Sequence, residues 1–180
     1  MIVFLVFASD VLHAQDKFFT KNGKIHFDAT AAASPERIEA VNRTVTCVMD
    51  SKTGNIQFSL LMKGFLFERA LMEEHFNENY VESSKYPKAE FKGMVNDISG
   101  INFKKDGANT VKVKGKLVMH GEMKEIETEG KILVKAGKIS VTAKLPVQFS
   151  DFKITIPTLV SDKVAKVALI DIDCQLDPLH

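Results

Sequence analysis

Apolar and polar residues alternate along most of this chain, and that period of two constrains its fold more than any other feature. Successive side chains of a β-strand point to opposite faces, so strict alternation marks a strand with one wet side and one dry side. Ile25, Phe27 and Ala29 alternate with Lys24, His26 and Asp28; Val45, Cys47 and Met49 alternate with Thr44, Thr46 and Asp50. Ile56, Phe58, Leu60 and Met62 form the next apolar set, after a Ser51–Gly54 turn. Beyond the Lys105-Asp106-Gly107 turn, Val111, Val113, Leu117 and Met119 oppose Lys112, Lys114 and Lys116. His120-Gly121-Glu122 reads as a turn, after which Ile126, Thr128, Ile132 and Val134 oppose Glu125, Glu127, Glu129 and Lys131. Ala136-Gly137 turns the chain again, and Ile139, Val141, Ala143, Leu145, Val147 and Phe149 share one face. Ile170, Ile172, Cys174 and Leu176 close the series against Asp171, Asp173 and Gln175.

Many antiparallel strands with one apolar face must bury that face together, in a sandwich or in a closed barrel, and closure also removes exposed edges. The lysine face of 112–116 and the glutamate face of 125–129 are expected to lie on neighbouring strands. Cross-strand charge pairs of this kind contribute ~0.2–1 kcal/mol each and help set register. Two segments depart from the pattern. Ser34-Pro35 offers an N-cap serine and a first-turn proline for a short helix through Val41. Phe67 to Asn79 carries Phe67, Leu71, Met72, His75 and Phe76 at helical spacing, an amphipathic segment able to cover one mouth of a barrel.

Composition narrows the function. The 180 residues suit one domain with a real core, and 24 basic against 23 acidic residues leave no field for holding a nucleic-acid backbone. Thirteen Phe against two Tyr and no Trp favour a large dry interior, since Phe brings no polar handle. Residues 1–14, with the apolar run Ile2–Phe7 and Ala14 before Gln15, read as a signal peptide, although a basic start is missing and Asp10 intrudes. The alternative is an apolar first strand. Residues 15–180 form the expected domain, and no later stretch has the uninterrupted apolar length of a membrane span.

Chemistry-bearing motifs are sparse. His75 follows Glu73 and Glu74 but lacks the spacing and second histidine of a zinc-protease helix, and His120 sits beside a turn glycine. There is no Gly-x-Ser-x-Gly elbow, and Ser83-Ser84-Lys85 lacks Ser-x-x-Lys spacing. Gly115-Lys116 reads as a strand glycine and its neighbour rather than part of a phosphate loop. Asn42-Arg43-Thr44 matches a glycosylation sequon, a short pattern that chance often produces. Cys47 and Cys174 permit either a bridge or two buried thiols, and neither has metal-ligand neighbours. No catalytic residue, metal or cofactor is expected.

Three segments carry a family resemblance. They are Glu74-His75-Phe76-Asn77 through Lys85-Tyr86-Pro87-Lys88-Ala89-Glu90-Phe91-Lys92-Gly93; Gly115-Lys116-Leu117-Val118-Met119-His120-Gly121, similar to a G-x-L-x-x-H-G pattern; and Ser150-Asp151-Phe152-Lys153-Ile154. In this order they resemble the YceI-like family of bacterial periplasmic or secreted proteins, over a span from about Phe18 to the C-terminus. The resemblance implies an all-β fold: an extended antiparallel lipocalin-like barrel of about eight strands with one or two short helices. It also implies an elongated apolar ligand such as a polyisoprenoid or isoprenoid quinone, held by a periplasmic or secreted carrier, and a link in some members to stress responses. It brings no shared catalytic residues.

The expected ligand-binding lining is drawn from the inward faces. Phe27, Val45, Met49, Phe58, Leu60 and Phe91 come from the first half; Val113, Leu117, Met119, Ile132, Val141, Leu145, Ile170 and Ile172 come from the second. Phe76 and Tyr86 are placed near the mouth. Two other readings stand beside this one: an enzyme on a hydrophobic substrate with His75 or His120 as its acid–base group, and a structural protein whose core is filled. Oligomeric state is not specified by any of these features.

Overall fold

The computed structural model describes residues 16–179, so the expected leader at 1–14 lies outside the described residues. Eight strands form a closed antiparallel barrel: β1 (Lys17–Thr30), β2 (Glu39–Asp50), β3 (Asn55–Leu61), β5 (Lys88–Val95), β6 (Gly107–Met119), β7 (Glu122–Lys135), β8 (Lys138–Gln148) and β9 (Val164–Pro178). A two-residue strand, β4 (Leu66–Phe67), adds to β2 through Ala40↔Phe67 and Val41↔Leu66. Around the barrel the order is β1-β9-β8-β7-β6-β5-β3-β2, and β2 returns to pair with β1. The all-β expectation holds, because each strand can bury its apolar side only against the others.

Turn chemistry explains the tightest connections. His120 and Gly121 both have positive φ, 52° and 76°, as do Ala136 and Gly137 at 49° and 76°. Two left-handed residues in a two-residue hairpin match the twist of the flanking strands. The first hairpin sets the register Lys112↔Glu129, Lys114↔Glu127 and Lys116↔Glu125, which places the lysine and glutamate faces directly opposite one another.

Three details differ from the sequence reading. Residues 34–38 form no helix, and β2 begins at Glu39. Ser34 Oγ instead donates to Glu36 O at 2.7 Å and accepts from Glu36 N–H at 3.2 Å, a local turn that competes with helix. The amphipathic segment is helical over α1 (Ala70–His75) and a π-helical turn at Phe76–Tyr80 that continues it, while its first residue, Phe67, joins the sheet. Finally, β1 starts at Lys17, upstream of the visible alternation. A bulge between Thr20 and Ile25 shifts its register, so Phe18 faces inward with even parity and Ile25 with odd.

The end of the barrel near that bulge is packed solid. Val45, Cys47 and Met49 are fully buried, Met49 lies opposite Phe18 and Ile56, and Ile98, Ile101 and Phe103 pack against this core. Gly23 is indispensable in the bulge, because a Cβ there would lie 2.4 Å from Cys174 Sγ. Both cysteines are free, buried thiols. A hydrogen bond to Cys174, aided by burial, holds the Cys47 thiol far above its ordinary range and therefore protonated. Asn42 of the sequon is also fully buried: its Nδ2 donates to Leu61 O at 3.0 Å, and its Oδ1 accepts from Thr44 N–H and Oγ1. It serves as a structural anchor.

Candidate ligand cavity

Beyond the packed end the barrel is hollow. The cavity proper measures about 130 Å³, within an empty space of about 1190 Å³ that includes its mouth. It is a narrow and irregular void. Leu117, Met119, Ile126, Ile170 and Ile172 all point inward and line it, yet each is only half-buried, because the void rather than a neighbouring side chain covers them. Glu90, Lys131 and Thr142 border the space with the outward parity of their strands. Thr128 brings a polar side chain to the wall, and its hydroxyl already donates to Lys144 O at 2.8 Å. Apolar voids of comparable size stay dry, since a buried water needs about 2–4 polar partners. The other inward-facing side chains of the wall are aliphatic or aromatic.

Most residues chosen from the sequence converge here. Phe27, Phe58, Leu60, Phe91, Val113, Leu117, Met119, Ile132, Val141, Leu145, Ile170 and Ile172 line the cavity, and so does Phe76 from the turn after α1. Three stand elsewhere. Val45 and Met49 have the inward parity but lie in the packed end, where the bulge and the 98–103 segment leave no space. Tyr86 does not line the cavity; its ring packs edge-on against His120 at 4.6 Å and lies under Gly121. The alternation also holds residues that were not singled out, among them Ile126, Ala143 and Val147. Met62, the last of the alternating 56–62 set, also reaches the cavity, and Phe65, Val81 and Ile154 do so from connecting segments whose inward course no periodicity marks.

A second space, about 1090 Å³ and open outward, sits above the first. Ile38, Phe67, Leu71, Met72, Ile156 and Val160 line it, with Glu36, Arg69, His75 and Lys163 among its polar residues. Arg69 is ion-paired with Glu36. Phe27, Phe76, Val81, Phe149 and Ile154 border both spaces. The rings of Phe76 and Phe67 are 5.0 Å apart, and those of Phe76 lie 5.6 Å from both Phe27 and Phe65. Such spacings are edge-on aromatic packing, so the rings form a cork between vestibule and barrel.

The histidines are placed away from the barrel void. His120 Nδ1 donates to Phe152 O and its Nε2 contacts Glu82 Oε2, both at 2.8 Å, so both ring nitrogens are engaged. His75 is exposed on α1 and borders the vestibule. Among the described residues no group of three or more His, Cys, Asp or Glu side chains is arranged to hold a metal ion. No helix among them is long and apolar enough to cross a membrane.

The described residues thus define a closed antiparallel barrel around an apolar internal void. The sequence model of the YceI-like domain matches residues 7–176, and the chain belongs to that family. No curated protein is similar enough in sequence to count as a match. Among solved structures, a polyisoprenoid binding domain from Saccharophagus degradans, described as implicated in plant cell wall breakdown, superposes with a TM-score of 0.78 at 12% identity, covering 92% of this chain and 100% of that one. BcnA from Burkholderia cenocepacia gives 0.68 at 15% identity, with 86% and 95% covered. The YCEI protein of Campylobacter jejuni gives 0.57 at 17% identity, with 78% and 85% covered. At these identities the likeness is one of fold.

Proposed function

We propose that this protein binds one elongated, mostly hydrocarbon lipid inside the barrel, a polyisoprenoid or isoprenoid quinone being the best fit, and serves as a periplasmic or secreted carrier or sequestering protein. The observation that carries the reading is the dry internal void walled by aliphatic and aromatic side chains. Each methylene moved from water into such a space contributes ~0.8 kcal/mol, so a long tail reaches micromolar affinity or better without a hydrogen bond. A strand of about ten residues spans roughly 33 Å, or about 25 Å along the axis at the usual barrel tilt, and the part beyond the packed end has room for a few isoprene units. The Saccharophagus degradans domain of the same fold is described as polyisoprenoid-binding, which supports the ligand class. The leader-like residues 1–14 support export.

The reading as an enzyme lacks an acid–base group at the wall: His120 is held by Phe152 and Glu82, and His75 lies in the vestibule. The test is organic extraction of freshly purified protein followed by mass spectrometry. A long-chain lipid recovered in near-stoichiometric amount is the expected result. Repeated recovery of none, together with no binding of a long-chain quinone, would remove the proposal.

A further inference from the structure

The seams between strands are not equally closed. β6 and β7 pair from Gly107↔Val134 to Met119↔Glu122, and β8 and β9 from Ile139↔Leu176 to Gln148↔Val167. β7 and β8 pair only from Lys135↔Lys138 to Gly130↔Ala143. Past that point residues 122–129 of β7 keep β6 as their neighbour but have no ladder to residues 144–148 of β8. The parting begins where the Thr128 hydroxyl, and not a main-chain group, reaches the Lys144 carbonyl.

The sequence itself keeps this seam open. Since the Lys144 carbonyl points toward β7, the main-chain groups of residue 146 point the same way, every second residue of a strand sharing a side. Residue 146 is proline, so β8 presents no N–H donor to the gap at that position. The far side of the gap is spanned by the turn Phe149–Phe152. That turn is pinned by the His120 bond to Phe152 O and by Lys153 Nζ to Glu122 Oε1 at 2.6 Å. A slot is thus left in the wall. Ile126 and Thr128 form one lip and Leu145 and Val147 the other, and all four also line the internal void. Outside, Met123 on β7 and Leu169 on β9 beside Pro146 are exposed apolar side chains, 58% and 57% exposed.

One end of the barrel is the solid core around Met49, and at the other the rings of Phe27, Phe65, Phe67 and Phe76 stand between the void and the vestibule. We propose that the slot between β7 and β8 is a lateral portal through which the hydrocarbon tail of the ligand enters and leaves the barrel. This rests on the lipid-binding reading and adds the route. A tail sliding sideways between Ile126 and Val147 meets aliphatic surface throughout. The aromatic cork need not open, and the polar head remains outside until the tail is housed.

The route can be tested with a dansyl-labelled undecanoic acid, whose fluorescence rises in dry surroundings, mixed with the full chain in stopped flow. Continuing the ladder across the slot sets residue 126 opposite residue 147, so Ile126→Cys combined with Val147→Cys places two thiols to staple it. The oxidised form is expected to load and release the probe about tenfold or more slowly than the same protein after reduction. Pro146→Val, which needs no cross-link, restores the donor and is expected to slow exchange by a smaller factor. Phe67→Ala, which removes a ring that lines the vestibule and not the barrel cavity, is expected to leave the rates alone. Equal rates in stapled and reduced protein, with Pro146→Val also unchanged, would overturn the portal while leaving binding intact; acceleration by Phe67→Ala alongside would assign the route to the vestibule. No probe uptake by the wild-type chain would overturn the lipid-binding reading itself.

Discussion

At the bulged end of the barrel, Val45, Cys47, Met49 and Leu176 are fully buried, whereas Leu117, Met119, Ile170 and Ile172 point inward by the same alternation and are only partly buried. Hydrophobicity does not separate the two groups. At the first end a bulge in β1 and a glycine without a side chain let β2 and β9 close over Cys174, and the 98–103 segment adds Ile98 and Phe103 from outside the sheet. In the hollow part, β8 parts from β7, and the side chains that reach inward from connecting segments, Phe65, Phe76, Val81 and Ile154, line the space without filling it. Alternation therefore specifies which way a residue faces, while bulges, seams and loops decide whether anything meets it there.

Matched truncations are the strongest way to break this contrast. Met49→Ala leaves a cavity in a filled core and is expected to cost about 2–5 kcal/mol, read from the urea midpoint. Leu117→Ala removes similar apolar bulk beside an existing void, so the cavity contribution is absent and the loss is expected to be about 1 kcal/mol. Equal losses at the two positions would show that both ends are filled.

A substitution that fills the void sharpens the contrast from the other side. Ile172→Trp places a large ring in the hollow part, where it is expected to weaken binding of a long-chain quinone about tenfold or more while holding or raising the unfolding temperature. An unchanged affinity would place the binding site away from the barrel interior.

The smallest expected effect concerns the turn that closes the packed end. Asp50 Oδ1 accepts from the main-chain N–H of Thr53 and of Lys52, both at 2.9 Å, and these bonds, that of Thr53 foremost, hold its carboxyl below the ordinary carboxylate range. A depressed folded-state pKa gives stability that is present above the unfolded value, ~3.9, and is lost as pH falls through the folded one. Asp50→Asn is accordingly expected to flatten part of the acid limb of a stability–pH profile. Wild-type and variant profiles that remain parallel below about pH 4 would show that the turn does not depend on this charge.

Much of the architecture was legible in the chain. The alternation located every barrel strand from β6 onward, and the lysine and glutamate faces of β6 and β7 paired as their charges required. The glycine turns at 121 and 137 were readable because two-residue hairpins demand positive φ. The start of β1 was hidden, since a bulge flips the parity between Phe18 and Ile25 and so erases the periodic pattern. The expected helix after Ser34 gave way to an extension of β2, because pairing Asp28↔Glu39 with β1 outweighs a weak capping preference.

By itself, then, the sequence determined the fold class, the inward face of most strands and the apolar character of whatever the barrel holds, because these follow from a local period of two. Tertiary structure alone decided that Val45 and Met49 are core while Ile170 and Ile172 border empty space. It alone decided that Tyr86 packs on His120. Each of these depends on the distance between segments remote along the chain, which the order of apolar and polar residues does not encode.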